Sequence, residues 1–248
     1  MLSYYFSSDY IWYLLAIVIV AILSAVASSK VNSTFKKYDK VRCRSGMTGF
    51  NTAVTLLRYG NAADIRVGRV QGQLSDHYHP KNAVVNLSDA TYNSSSVAAV
   101  AVAAHEIGHV MQNKTGYFLY KVRTSLVPVV NIGSRLAFPL VLVGLLLSAF
   151  VELSNPDTGF YVAMIGVVLY GTSLLFSLAT LPVELDASRR ALKMLTENNI
   201  ISESERPYAR RVLSAAAFTY LVSVLAAVVN FLRFLLYVLR IFGRRNSR

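Results

Sequence analysis

Residues 11–29, 136–151, 159–181 and 212–243 are stretches of almost uninterrupted apolar sequence, and they constrain this chain more than any other feature. About 20 apolar residues carry a helix across the hydrocarbon of a bilayer. Backbone polar groups there must bond within their own segment, so such runs are helical. Composition agrees, since 54% of the 248 residues are hydrophobic and only 15% are charged. The first run lacks a basic segment before it and is followed by positive charge, which predicts an uncleaved anchor with Trp12 and Tyr13 at an interface. The segment 126–135 holds Pro128, Asn131 and Arg135, so the second helix is expected to begin irregularly, with Arg135 snorkelling at its end. Asn230 and Arg233 interrupt the last stretch, which suggests one span followed by an interfacial basic helix.

The net charge of +12 is not spread evenly. Lys30, Lys36, Lys37, Lys40, Arg42 and Arg44 follow the first run, and Arg233, Arg240, Arg244 and Arg245 accompany the last. Cations beside apolar runs favour lipid contact and topology setting, and no nucleic-acid motif is present. The loop 152–158 carries Glu152 and Asp157 with no Lys or Arg. The positive-inside rule therefore puts 30–124 and 182–211 in the cytoplasm and the N-terminus and loop 152–158 outside. The basic C-terminus would also prefer the cytoplasm, against an odd number of later spans. The single Cys43 allows no intramolecular disulfide and is expected to be an ordinary small residue.

Between the first two spans the patterning is that of a soluble unit. Thr48 is a helix cap for 49–59, with Gly60 as a left-handed stop. Residues 64–70 and 82–88 alternate as strands of a small sheet. The second of these is either a docking edge for extended substrate or an ordinary internal strand. Ser94–Ser96 open an Ala/Val-rich helix to about Asn113, with Gly116 past its end. Pro182, with Thr180 as cap, is expected to start a new amphipathic helix over 182–197.

That Ala/Val helix carries His105-Glu106-Ile107-Gly108-His109. Histidines four apart project from one helical face and can share one Zn²⁺. Glu106 lies about 100° round the helix, placed to take a proton from a zinc-activated water without ligating the metal. A zinc peptidase needs a third protein ligand. The candidates are His77, His79, Glu184 and Asp186. Spacing favours Glu184, which shares a face with Ala187 and Ser188, while Asp186 points elsewhere and can pair with Arg190.

The segments SGMTG at 45–49, LSDHYHP at 74–80, AVAAHEIGHVMQ at 101–112 and LPVELDASRRAL at 181–192 resemble the neutral zinc metallopeptidases of the YugP type across nearly the whole chain. The chain is more distantly similar to the HtpX and CAAX-prenyl membrane proteases. Those place a Glu-x-x-Ala-Asp helix after HExxH and membrane helices, and the Glu supplies the third ligand. Glu184-Leu185-Asp186-Ala187-Ser188 departs from that pattern, with Ser188 where an acidic residue would orient a ligand. The resemblance implies that Glu184 joins His105 and His109 as ligands. It also suggests His77 as an oxyanion donor in catalysis, against the alternative of a turn histidine bonded to its own loop.

The expected fold is an α-helical integral membrane protein with a small α/β zincin-like domain. Its parts are an anchor over 1–29, a catalytic region over 30–124, a transmembrane hairpin over 125–181, a third-ligand helix over 182–211 and a membrane or interfacial helix over 212–248. The expected activity is a zinc metalloendopeptidase of the plasma membrane, multi-pass and facing the cytoplasm, acting on protein or peptide substrates near membrane lipid. A membrane-protein partner or a second copy fits the same reading. The alternatives are a non-proteolytic scaffold that keeps its zinc site and a transporter. The near absence of charge inside the spans ranks the transporter last.

Overall fold

The computed structural model describes residues 8–150 and 157–243. Glu152, Arg244 and Arg245, used above for topology, lie outside them. The elements run α1 (Ser8–Asp39), α2 (Gly49–Tyr59), β1 (Arg66–Val70), β2 (His77–His79), a 3₁₀ turn (Pro80–Asn82), β3 (Val84–Ser88), α3 (Asp89–Tyr92), α4 (Val97–Lys114), α5 (Phe118–Phe150), α6 (Thr158–Glu197) and α7 (Arg206–Gly243). Among the described residues, four helices are long and apolar enough to cross a membrane: α1, α5, α6 and α7.

The chain divides into two compact units, one of Met1–Ser24, Val122–Thr180 and Leu221–Arg248 and the other of Ala25–Lys121 and Leu181–Tyr220. The first unit is helical. Val141, Ala163, Val167, Val238 and Phe242 are buried together, while Trp12, Val168 and Leu236 stay exposed, as lipid-facing positions do. Between α5 and α6 the helices approach through small residues. A Cβ on Gly144 would lie 2.5 Å from the Gly159 carbonyl oxygen, and one on Gly166 would lie 2.6 Å from that of Ala137. Without a hydrophobic drive in lipid, such close backbone approach is how helices associate. Arg233 stacks over the Tyr13 ring at 4.3 Å and donates to its hydroxyl, which gives the charge an aromatic partner on the same unit.

The second unit carries a three-stranded sheet in the order β1-β3-β2, with β1 parallel and β2 antiparallel to β3. Val85 and Leu87 of β3 are buried against Leu56, Val100 and Ile107 in one core. Helix α4 is buried along most of its length, from Val97 to Gln112, because its small Ala and Val side chains let neighbours in from several sides. Ser96 caps it by accepting from the Ala99 N–H at 3.1 Å, and Thr48 caps α2 by accepting from Asn51 at the same distance.

Several expectations need correction. Helix α6 runs through Pro182 without restarting, since Val183, Glu184 and Ala187 are buried and their packing holds the helix together. Helix α5 is continuous from Phe118 through Pro128 and Pro139, and α7 is one helix rather than a span plus an interfacial piece. His77–His79 form a third strand where a loop was expected. Strand β3 is internal, with both edges occupied, so it offers no edge to a substrate. The left-handed residue after α2 is Asn61 (φ 51°), whereas Gly60 has φ −79°.

Candidate metal centre

The geometry begins at Gly108. A Cβ there would lie 2.5 Å from the Ala187 carbonyl oxygen, so the absence of a side chain lets α4 and α6 meet at backbone distance. Within one turn of that contact stand the chemistry-bearing residues. His105 Nε2 is 3.1 Å and His109 Nε2 3.5 Å from the same oxygen, Glu184 Oε2. Donor atoms of His105, His109 and Glu184 all lie within 4.8 Å of one another, and Glu184 is 1% exposed.

The remaining ring nitrogens are engaged from behind. His109 Nδ1 lies 3.0 Å from Gln112 Oε1, an oxygen that only accepts, so Nδ1 carries a proton and Nε2 is the nitrogen turned toward Glu184. Gln112 in turn donates from Nε2 to the Val183 carbonyl at 2.7 Å and to Asp186 Oδ2 at 2.9 Å. Asp186 Oδ2 also accepts from Arg190 Nε at 2.6 Å, the pairing that its spacing suggested. His105 Nδ1 is 3.2 Å from Ser188 Oγ, so the serine occupies the orienting place that an acidic residue would take.

These residues fit a zinc ion. With Nδ1–H held by Gln112, His109 Nε2 is the ring nitrogen left to bind a metal, and Glu184 Oε2 faces it at 3.5 Å. Two donors bound at about 2.0–2.1 Å to one tetrahedral zinc stand about 3.3 Å apart. The 3.1 and 3.5 Å separations bracket that value.

Glu106 is 7% exposed, and the backbone N–H of Tyr78 in β2 bonds its carboxylate. Burial pushes its pKa up to about 7; His105 works against the rise, and Glu184 and Asp76 add to it. Asp76 holds the start of β2 against β3, accepting from the Ser88 N–H and Oγ–H at 2.8 Å each.

The histidines of β2 do not join the cluster. His77 Nδ1 donates to the Ser75 carbonyl at 2.9 Å and its Nε2 accepts from Asn86 at 3.1 Å, so its free proton is already committed to its own loop. His79 Nδ1 accepts from the Asn82 N–H at 3.3 Å and caps the 3₁₀ turn. Cys43 is buried with its Sγ 3.2 Å from the Ile200 carbonyl, a packing role.

Gln112 was missed in the sequence, although it lies three residues after His109 and so on the same helical face. Gln112→Leu leaves the His109 Nδ1–H and Asp186 without their bridge. Outer-sphere partners of this kind are worth about 10–100-fold in metal affinity. We expect a zinc dissociation constant weakened by about that factor in competition with a chromogenic chelator. An unchanged constant would remove Gln112 from the site.

A multi-span helical membrane protein with a largely buried two-histidine, one-carboxylate cluster in a small mixed α/β unit belongs among metal-dependent membrane proteins. Residues 13–239 match the family described as "Putative neutral zinc metallopeptidase", and the chain belongs to that family. It is 38% identical over 217 residues, 88% of this chain and 92% of the other, to the "Putative membrane protease YugP" of Bacillus subtilis (strain 168). No solved structure matches the chain. The family's metal is zinc, and the protein is accordingly a zinc metallopeptidase family member of a membrane.

Proposed function

We propose that this chain is a zincin-type metalloendopeptidase of the HExxH-plus-Glu kind, in which His105, His109 and Glu184 hold zinc and Glu106 is the general base. The observation that carries this is the clustering of donor atoms from His105, His109 and Glu184 within 4.8 Å of one another, beside a buried carboxylate, Glu106, that none of them uses. Zinc, when bound, supplies Lewis acidity that acidifies a water and polarises a peptide carbonyl. Glu106 takes the proton of the attacking water on its carboxylate and delivers it to the leaving amine nitrogen. The Tyr78 N–H holds that carboxylate in place. Burial near neutrality lets the same group both accept and donate.

Strand β2 is an edge strand of the sheet, and Tyr78 presents its N–H outward from β3 toward Glu106. An extended peptide laid along that edge would bring a scissile carbonyl to the site. His77 is left out of the chemistry, because its proton is bound to Ser75.

The unit holding the site also carries Lys30, Lys36, Lys37, Lys40, Arg42, Arg44, Arg210 and Arg211. That basic density supports a cytoplasmic active site and cleavage of protein segments beside the inner face of the membrane.

The test is hydrolysis of an unfolded protein by the detergent-purified chain, read as new N-termini. Chelation should abolish cleavage and stoichiometric zinc should restore it. Cleavage that survives complete metal removal would overturn the proposal.

A further inference from the structure

A cavity of about 480 Å³ lies between α1 and α7, away from the metal centre, and four of the side chains lining it are cations: Lys30, Lys37, Arg210 and Arg211. No acidic residue lines it. None of the four forms an ion pair among the described residues, whereas Arg69, Arg190, Lys193 and Arg206 each do. Four like charges round one cavity repel one another, and an anion placed between them converts that repulsion into attraction.

The helical spacing makes this a built arrangement. Lys30, Thr34 and Lys37 fall at i, i+4 and i+7 on one face of α1, and Arg210, Arg211 and Ser214 occupy the facing side of α7. Tyr38, buried and stacked on Tyr208 at 5.2 Å, accepts from Arg211 Nη1 at 2.9 Å and so orients that guanidinium. Lys30 Nζ lies 5.2 Å from the centre of the Phe218 ring, which ties the apolar part of α7 to the same place. Thr34 and Ser214 add two hydroxyls. Cations with hydroxyl donors form a phosphate-binding set.

The position along each helix identifies the source of the phosphate. Lys30 is the first charge after the apolar run 11–29, and Arg210 and Arg211 immediately precede the apolar run that begins at residue 212. On both helices the cations therefore stand where the apolar run ends, the level of lipid headgroups. We propose that this cavity binds the phosphate headgroup of an anionic glycerophospholipid, with its acyl chains lying along the apolar residues that follow in α7.

Native mass spectrometry of the detergent-purified full chain tests this, with titration by phosphatidylglycerol, phosphatidylcholine or inorganic phosphate. Lys37→Gln/Arg210→Gln removes two charges from the cavity. Lys36→Gln/Lys40→Gln removes two from α1 and its C-terminal end without touching it. Wild type and the control pair should retain one phosphatidylglycerol in preference to phosphatidylcholine. The cavity pair should hold it at least about tenfold more weakly, with zinc content unchanged. Should the pair lose thermal stability, Arg210→Gln alone supplies the same comparison. Equal weakening in both pairs would overturn the site, leaving only general surface charge. Inorganic phosphate displacing the lipid at equal concentration would overturn the lipid source and make the ligand a soluble phosphate.

Discussion

Glu184→Ala is expected to purify with no more than traces of zinc and with cleavage at background. The carboxylate is almost fully buried, and the Nε2 atoms of His105 and His109 both face its Oε2. Without it two imidazoles remain, one donor short of the three that hold zinc in peptidases. Removal of a direct ligand exceeds the about 10–100-fold loss that follows from outer partners, so the affinity should fall by more than about 100-fold. Asp186→Ala is the matched control. Asp186 receives Gln112 and Arg190 and faces no histidine nitrogen, so its loss should stay within the outer-partner range. Elemental analysis of the two variants beside the wild type decides the matter. Wild-type zinc in Glu184→Ala would sink the ligand assignment, and equal loss in both variants would mean that the helix, rather than the carboxylate, is what matters.

Glu106→Gln should separate binding from chemistry. The amide has nearly the same shape, its oxygen can still accept from the Tyr78 N–H, and none of the three clustered donors is altered. Zinc content should equal that of the wild type. Thermal stability should not fall, because burial already disfavours the charged carboxylate that the amide replaces. Turnover should drop by about 10²–10⁴-fold, the usual contribution of a positioned general base. The expected pattern is thus full metal, full fold and little cleavage. Retained cleavage would take the base role away from Glu106, and lost zinc would make it part of the metal's support.

Much of this site was legible along the chain. Two histidines and a glutamate within one turn of an Ala/Val helix announce themselves, because helical periodicity converts spacing into facing direction. The caps Thr48 and Ser96 were legible for the same local reason. Glu184 was harder. It lies 79 residues from His105, and spacing by itself left Asp186 in competition until the resemblance to related proteases was weighed. Pro182 misled, since local preference says a helix starts there, whereas burial of Val183, Glu184 and Ala187 keeps α6 continuous. Strand β2 was invisible because three residues carry too little alternation to register.

Local patterning and charge pointed to a helical membrane protein with a candidate metal-binding helix, since both depend on neighbours within a turn or a span. Spacing and resemblance pointed to Glu184, and the tertiary structure brings that carboxylate to the histidines because α4 and α6 meet at Gly108 and Ala187. It also decided that Ser188 stands behind His105, that a backbone N–H from β2 reaches Glu106, and that cations of α1 and α7 surround one cavity. Each of these joins groups far apart in the chain, and such contacts are set by the packing of whole elements, which no local period encodes.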